Sequence, residues 1–571
     1  MTTIVEPSGR ATPSAVELEI LRTTLIAQAD EIAAVLANGA PIAEISQVRD
    51  FSVAIADASG GIAAVDNPLV VGSLAQSVEG ILDYFEFDLK DGDIVVTNNP
   101  YAGGTRVQDL TLLAPLVVDS DMVLHIVVRV PIRDLGGQVG GNVYPAATEL
   151  MAEGVPVTPI KIQRLGRPAR DVLTTFLING RRPAETRLVL DAATAAINLG
   201  LRRLTELVRA RGATIVKAAL AHAQTYSEQL TRSIISTWRD GTYPATRALA
   251  ADPSGTDAVT VRLTATVERD TLTLDFSDSD DQRPSFVNSS SGTTASCALR
   301  TILAITGGSV PANSGLLRAV AIRTRPGSIT HPVSPAPVGW GHAHCGNEIT
   351  DAVAIALRAA VPGPVPSLTV ARPLVLSRSA SDTSDQTDHG RWGIGGASAR
   401  PGQDGWGQPA LATRAVLPSA EQYEIEHGIR LVHLEYAPDS AGAGQWVGAP
   451  GVEAVVEVLP DQLYTLWTQT AATVVDGLDD AVSGTPGEVA FHTHAGWEPA
   501  AVAAVEQPVP ADQLRLRSAG GGGYGPPRAR DRAAVLSDLH DDLITASTAR
   551  ETYGIDPSDT EQTQLEGGGQ P

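Results

Sequence analysis

Two nearly continuous apolar runs, Leu110 to Val118 and Val123 to Val130, constrain this chain more than any other feature. Both have strand character, being rich in Val, Leu and Ile and bounded by turn residues. The flanking stretches Thr97 to Asp109 and Pro131 to Lys161 are rich in Gly, Pro and Asn, and place polar side chains at strand ends. Binding and catalytic groups concentrate in such places. The residues presented there are Asn98, Asn99, Arg106, Asp109, Arg129, Arg133 and Asp134.

Composition excludes several classes. At 571 residues the chain calls for two or three domains, and its 43% hydrophobic content suits a large buried interior. No apolar run approaches the roughly 18 residues of a spanning helix. The opening MTTIVEPSGR lacks the charged and apolar regions of a signal peptide, so the expected location is cytoplasmic. A net charge of -23 argues against nucleic acid or an anionic membrane as partner. With Cys297 and Cys345 the only cysteines, neither a disulfide framework nor a four-cysteine zinc site is available.

Patterning along the chain predicts an α+β fold, a large multi-domain chain with mixed and antiparallel β-sheets and a central helical region. Residues 1–11 and 557–571 are expected to be disordered. An N-terminal α+β domain covers 12–165 and opens on an amphipathic helix from Thr12. Residues 166–240 form the helical region, where the 3.6-residue pattern from Ala184 to Trp238 is long enough for two or three helices. A β-rich domain spans 241–515, with a loop insertion near 377–409. A Gly-rich loop and terminal helices fill 516–556.

Trp340-Gly341-His342-Ala343-His344-Cys345 precedes another helix. If that segment is extended, His342 and His344 share one face. The pattern reads as a transition-metal site, as a thiolate activated by imidazole, or as polar lining and packing. His492 and His494 repeat the spacing. Asp50, in Arg49-Asp50-Phe51-Ser52, reads either as a strand-end cap or as site lining.

These motifs, taken in order, resemble the hydantoinase B/oxoprolinase family. The family turn N-D-P-Y-x-G-G-T-H-x-x-D corresponds to Asn98 through Asp109, and R-x-H-x-x-D-x-G-G to Arg129 through Gly137. Pro311 to Arg318, Pro438 to Gly448 and Gly520 to Pro527 match further family runs. The glycines of the 438–448 run are read as a turn needing positive φ, and the four glycines 520–523 as a close approach to a ligand or partner. The resemblance spans about residues 12–556.

In metal-bearing relatives the resemblance implies a divalent ion held at the first-turn histidine, the aspartate three residues on, and the second-turn histidine. Here those positions hold Arg106, Asp109 and Pro131. A guanidinium has no lone pair to donate and proline has no side-chain donor, so the family's metal site is expected to be absent. Arg106 then either supplies a fixed positive charge in its place or forms a plain salt bridge.

The resemblance also implies a hetero-oligomer with a hydantoinase A-type ATPase subunit. That partner binds ATP and Mg and phosphorylates the carbonyl oxygen of a small substrate, and no cofactor is expected on this chain. Three readings follow. The first is the B-type subunit of a cyclic-amide hydrolase, with Asp109, Asp134 and the His342, His344 and Cys345 group orienting water or a nucleophile. The second is the large subunit of a ketone carboxylase that holds bicarbonate through Arg106, Arg129 or Arg133. The third is a non-catalytic scaffold subunit.

Overall fold

The computed structural model describes residues 13–86, 88–141, 143–249, 251, 255, 257–368, 372–381, 386–407, 416–417, 419–468 and 473–556. The expected disordered termini lie outside the described residues.

The two apolar runs form the centre of a seven-stranded sheet. Its strands are β1 (Ser52–Asp57), β2 (Ile62–Val65), β3 (Ile94–Thr97), β4 (Asp109–Val118), β5 (Asp121–Pro131), β6 (Ile160–Arg164) and β7 (Arg167–Pro168). They lie in the order β2-β1-β5-β4-β3-β6-β7, all antiparallel. The β4–β5 hairpin turns at Asp119 and Ser120, whose φ angles of 51° and 67° suit the twist of a tight hairpin.

Strand alternation sends side chains to two different cores. Leu110, Leu112, Ile126 and Val128 pack with Leu25, Ile32 and Ile197 of the helices Ala15–Gly39 and Pro183–Arg211. Val95, Leu113 and Val127 face the other way, into a core shared with Leu74, Val78, Leu299 and Ile302 of the helices Val71–Phe85 and Ser291–Ile305. Since β4 and β5 are covered on both faces, their near-continuous apolar character is required.

The central helical pattern resolves into two helices, Pro183–Arg211 and Ala213–Ile235, broken at Gly212 with φ +93°. Beyond them a mixed four-stranded sheet (241–249, 259–268, 271–275 and 320–323) packs against the helix Cys345–Leu357. Two further antiparallel sheets, of four and five strands, enclose Val375, Trp392, Tyr464, Phe491 and Leu514.

Two expectations differ from what is observed. Residues 377–409 begin in the strand Leu374–Ser379, which pairs with Gln462–Trp467, and continue through Thr387–Asp388 into the 3-10 turn His389–Gly393. Their Ser, Asp and Gly content reads as loop, and among the described residues only 377–379 and 387–388 pair as strand, 394–407 being irregular. The second difference concerns the glycine runs. None of Gly442, Gly444 and Gly448 has positive φ. They and Gly520–Gly523 are small because backbone crosses backbone: a Cβ on Gly521 would stand 2.0 Å from Ala397 O, and one on Gly448 would stand 2.0 Å from Gly521 O. The four glycines therefore approach the chain's own main chain.

Candidate functional site

At one end of the first sheet, three strand termini meet. Asp109 opens β4 directly opposite Pro131, the last residue of β5, while Arg129 pairs with both Thr111 and Ser52. These positions share the face that meets the helix Val71–Phe85. The turn before β4 is shaped by side chains that do no chemistry. Asn98 donates to Val107 O and Val155 O and accepts from Val157 N–H, and Asn99 caps the turn Pro100–Ala102. Gly103, at φ +85°, passes so close to Ser77 that a Cβ would lie 2.3 Å from its amide nitrogen. Arg106 is thereby presented inward.

Arg106 is only 7% exposed. Its Nε donates to Asp109 Oδ1 at 3.0 Å and its Nη2 lies 3.5 Å from Asp50 Oδ2, so one guanidinium stands between two carboxylates. Burial works against ionisation of Asp109, but Arg106 and the Thr105 hydroxyl hold its carboxyl below the usual range. Burial pushes the Asp50 carboxyl up despite Arg106, and the nearby Asp109 charge adds to the rise. The two acids are pushed in opposite directions.

His342 stands beside them. Enclosure pulls its imidazole down to about 3, with Arg106 adding repulsion, so it is neutral and keeps a lone pair at physiological pH. A cleft of about 120 Å³ is walled by Glu44, Asp50, Arg106, Trp340, His342 and Arg372. A smaller cavity of about 40 Å³ is lined by Asp50, Arg106, Asp109, Arg129, Pro131 and His342. Asp50, Arg106 and His342 thus border both spaces.

Arg129 lines the inner cavity with no carboxylate in ion-pair contact among the described residues. Ser73, Ser77 and Thr111 hydroxyls accept its N–H groups. Burial lowers its guanidinium to about 10, so it remains charged at neutral pH.

The other expected site residues stand elsewhere. Asp134, 1% exposed, accepts from Gly136 N–H, Arg181 N–H and Arg181 Nη1, and so braces a turn outside both cavities. Arg133 pairs with Glu44, Glu185 and Glu426 as a structural hub. The segment carrying His342 and His344 is not extended; it turns into the helix Cys345–Leu357, so of the three only His342 lines the two cavities. His344 accepts the Cys345 N–H through Nδ1 and lies edge-on to Phe286 and Trp467. The Cys345 thiol is fully buried, and burial pushes it well up, which suits a core thiol. His492 pairs with Asp512 near the end of the strand Glu488–Thr493, away from both cavities.

Trp340 and Arg372 join the site without having been expected there. The Arg372 guanidinium lies 4.7 Å from the Trp340 ring centroid and is ion-paired with Asp388. No local motif marks Arg372, since it reaches the cleft from the residues just ahead of the strand Leu374–Ser379, distant in sequence from the other site residues.

The positions at which the resemblance places metal ligands do converge, because Arg106, Asp109 and Pro131 all line the inner cavity. Their chemistry does not fit a metal. Of the three only Asp109 offers a lone pair, and that carboxylate is occupied by the guanidinium beside it. Among the described residues no group of three or more His, Cys, Asp or Glu is arranged to hold a metal ion. No helix among them is long and apolar enough to cross a membrane.

Known proteins share this arrangement of elements. The fold matches the ATP-dependent caprolactamase from Pseudomonas jessenii with a TM-score of 0.83, covering 97% of this chain and 99% of that one at 23% identity. It also matches a nucleotide-free acetone carboxylase with a TM-score of 0.80, covering 97% and 84% at 16% identity. By sequence, the chain is 26% identical to the beta-type subunit of the Pseudomonas jessenii caprolactamase, over 86% of this chain and 87% of the relative. It is also 26% identical to the B-type subunit of a putative D-/L-hydantoinase from Pseudomonas sp. strain NS671, over 91% and 92%. The 5-oxoprolinase of Saccharomyces cerevisiae is 22% identical over 84% of this chain but only 39% of its own length. Residues 14–527 match the family model described as hydantoinase B/oxoprolinase, and the chain belongs to that family.

Proposed function

We propose that this chain is the B-type subunit of an ATP-dependent amidohydrolase, acting on a cyclic amide whose carbonyl oxygen has been phosphorylated on a partner ATPase subunit. One observation carries the reading: two carboxylates flank a single guanidinium beside a neutral imidazole, all four groups lining the inner cavity and three of them, Asp50, Arg106 and His342, also bordering the cleft. The relatives named as caprolactamase and hydantoinase subunits match along nearly their whole length, and the much longer 5-oxoprolinase matches in part, which supports a division of labour between two polypeptides.

Amide hydrolysis needs a proton taken from water and a proton given to nitrogen. Phosphorylation withdraws charge from the carbonyl carbon; water adds there, the C–N bond breaks to leave an acyl phosphate, and a second water splits this into carboxylate and phosphate. His342 or ionised Asp109 accepts the water proton, and Asp50, whose carboxyl is pushed up, supplies one to the departing nitrogen. Arg372 and Trp340 bound the substrate side of the cleft.

A second reading rests on Arg129. A buried guanidinium without a carboxylate partner among the described residues, lining the inner cavity, also suits bicarbonate in a ketone carboxylase. The test is ATP turnover by the natively isolated complex on a panel of cyclic amides and ketones, with and without bicarbonate. Amide-dependent turnover that ignores bicarbonate is expected. Turnover requiring a ketone and bicarbonate would replace the hydrolase with the carboxylase, and an ATPase partner stimulated by nothing would favour a scaffold role.

A further inference from the structure

Within the reading just given, on which this inference rests, we infer that the Arg106 guanidinium is the resident cation of the centre: it binds an oxyanion of the activated substrate directly, at a position whose residues do not suit a metal ion. The geometry of the guanidinium carries the argument. It is 7% exposed and clamped along one edge, with Nε on Asp109 at 3.0 Å and Nη2 at 3.5 Å from Asp50. Among the described residues Nη1 donates to no protein acceptor, and it is not one of the atoms sealed from solvent. Arg106 borders both the cleft and the inner cavity, so this spare donor is available to a bound molecule.

The clamp supplies what such a group requires. Side-chain freedom is removed before the ligand arrives, since Asp109 fixes the guanidinium plane and Thr105 in turn holds Asp109. Two carboxylates beside one guanidinium would repel an anion if both were ionised. The Asp50 carboxyl, pushed up by burial, relieves that repulsion. The arrangement favours a phosphoryl or carbonyl oxygen, which a guanidinium meets through directed N–H bonds. A divalent cation at the same place would face a permanent positive charge, a proline at position 131 and two carboxylates already turned toward the guanidinium.

Equilibrium dialysis of the intact complex against Mn(II), Zn(II) and inorganic phosphate tests the assignment without any turnover. Phosphate is expected to bind, with affinity falling by about tenfold or more in Arg106→Gln and recovering in part in Arg106→Lys. No metal ion whose retention depends on Asp109 is expected, so wild type and Asp109→Asn should carry the same metal. The wild-type measurement needs no variant, and thermal unfolding of each variant establishes that it is folded. One Mn(II) or Zn(II) per chain that is lost in Asp109→Asn would overturn the inference, as would phosphate affinity indifferent to Arg106→Gln in a folded complex. Either result leaves the amidohydrolase reading standing. Failure of every cyclic amide to stimulate ATP turnover would sink that reading and leave the dialysis result intact.

Discussion

Asp109 stands directly across the β4–β5 hairpin from Pro131, and it is the Asp109 carboxylate that receives the Nε hydrogen bond of Arg106 at 3.0 Å. Replacing Asp109 by Asn therefore leaves a buried guanidinium with only Asp50, whose carboxyl burial pushes up, as its remaining acidic neighbour. Removing one partner from a buried pair is costly, so Asp109→Asn should destabilise the chain by about 3 kcal/mol. It should lower turnover by about a hundredfold. Urea unfolding and steady-state ATP hydrolysis check the two effects separately.

Glu153 gives a pH dependence. Its oxygens accept from Val338 N–H at 2.9 Å and Gly339 N–H at 2.8 Å, holding the segment that leads to Trp340 and His342. Burial nevertheless raises its carboxyl from 4.5 to about 7, the two N–H bonds offsetting only part of the shift. The folded chain thus keeps a proton that the unfolded chain releases, and the corresponding stability is fully present below pH 4.5 and lost as pH rises through 7. The expected slope amounts to about 3 kcal/mol across that window. Glu153→Gln should flatten it, and urea midpoints at several pH values in both proteins would reveal an unchanged slope if the assignment is wrong.

Glycine substitutions should sort by what surrounds them. Gly521→Ala places a methyl group 2.0 Å from Ala397 O, which is main chain and cannot rotate away. A loss of about 3 kcal/mol or failure to accumulate soluble protein is expected. Gly39→Ala meets nothing within 4 Å at the end of its helix and should be neutral or stabilising by up to about 1 kcal/mol. Thermal unfolding of the two variants side by side makes the comparison.

Both cysteines should behave as core thiols. Burial pushes Cys297 up to about 12 and Cys345 well above the usual thiol range. Iodoacetamide at mildly alkaline pH should modify neither in the native chain and both in urea. Cys345→Ala should keep turnover within about twofold while costing about 1 kcal/mol of stability. A large drop in turnover with unchanged stability would restore Cys345 as a nucleophile.

Much of the fold was legible because the signals were local. The Leu110–Val118 and Val123–Val130 runs are β4 and β5, the helix from Thr12 appears as Ala15–Gly39 with Ser14 as its cap, and the Ala184–Trp238 pattern is a helix pair. Arg106 and Asp109 could be singled out because a turn motif places them three residues apart at a strand start. Asp134 and Arg133 looked equally good in sequence. Only three-dimensional neighbours, Arg181 for one and three glutamates for the other, reveal that each is spent on structure. Arg372 was invisible for the converse reason, because its approach to Trp340 joins distant parts of the chain. Of the adjacent His342, His344 and Cys345 only His342 borders the two cavities, since a helix start points successive side chains in different directions.

The crossing of Gly520–Gly523 with residues 396–397, 440–449 and 475–485 bears on how this chain is made. Gly396 donates to Ala519 O, Gly442 to Gly521 O, and Gly521 to Ala449 O, so loops translated early find part of their main-chain pairing in a segment translated late. Until the ribosome has released that segment, those loops present unpaired amides and carbonyls to water or to a chaperone. A nascent chain stalled before Ala519 would therefore be recognised as unfinished by its exposed backbone, however complete its cleft.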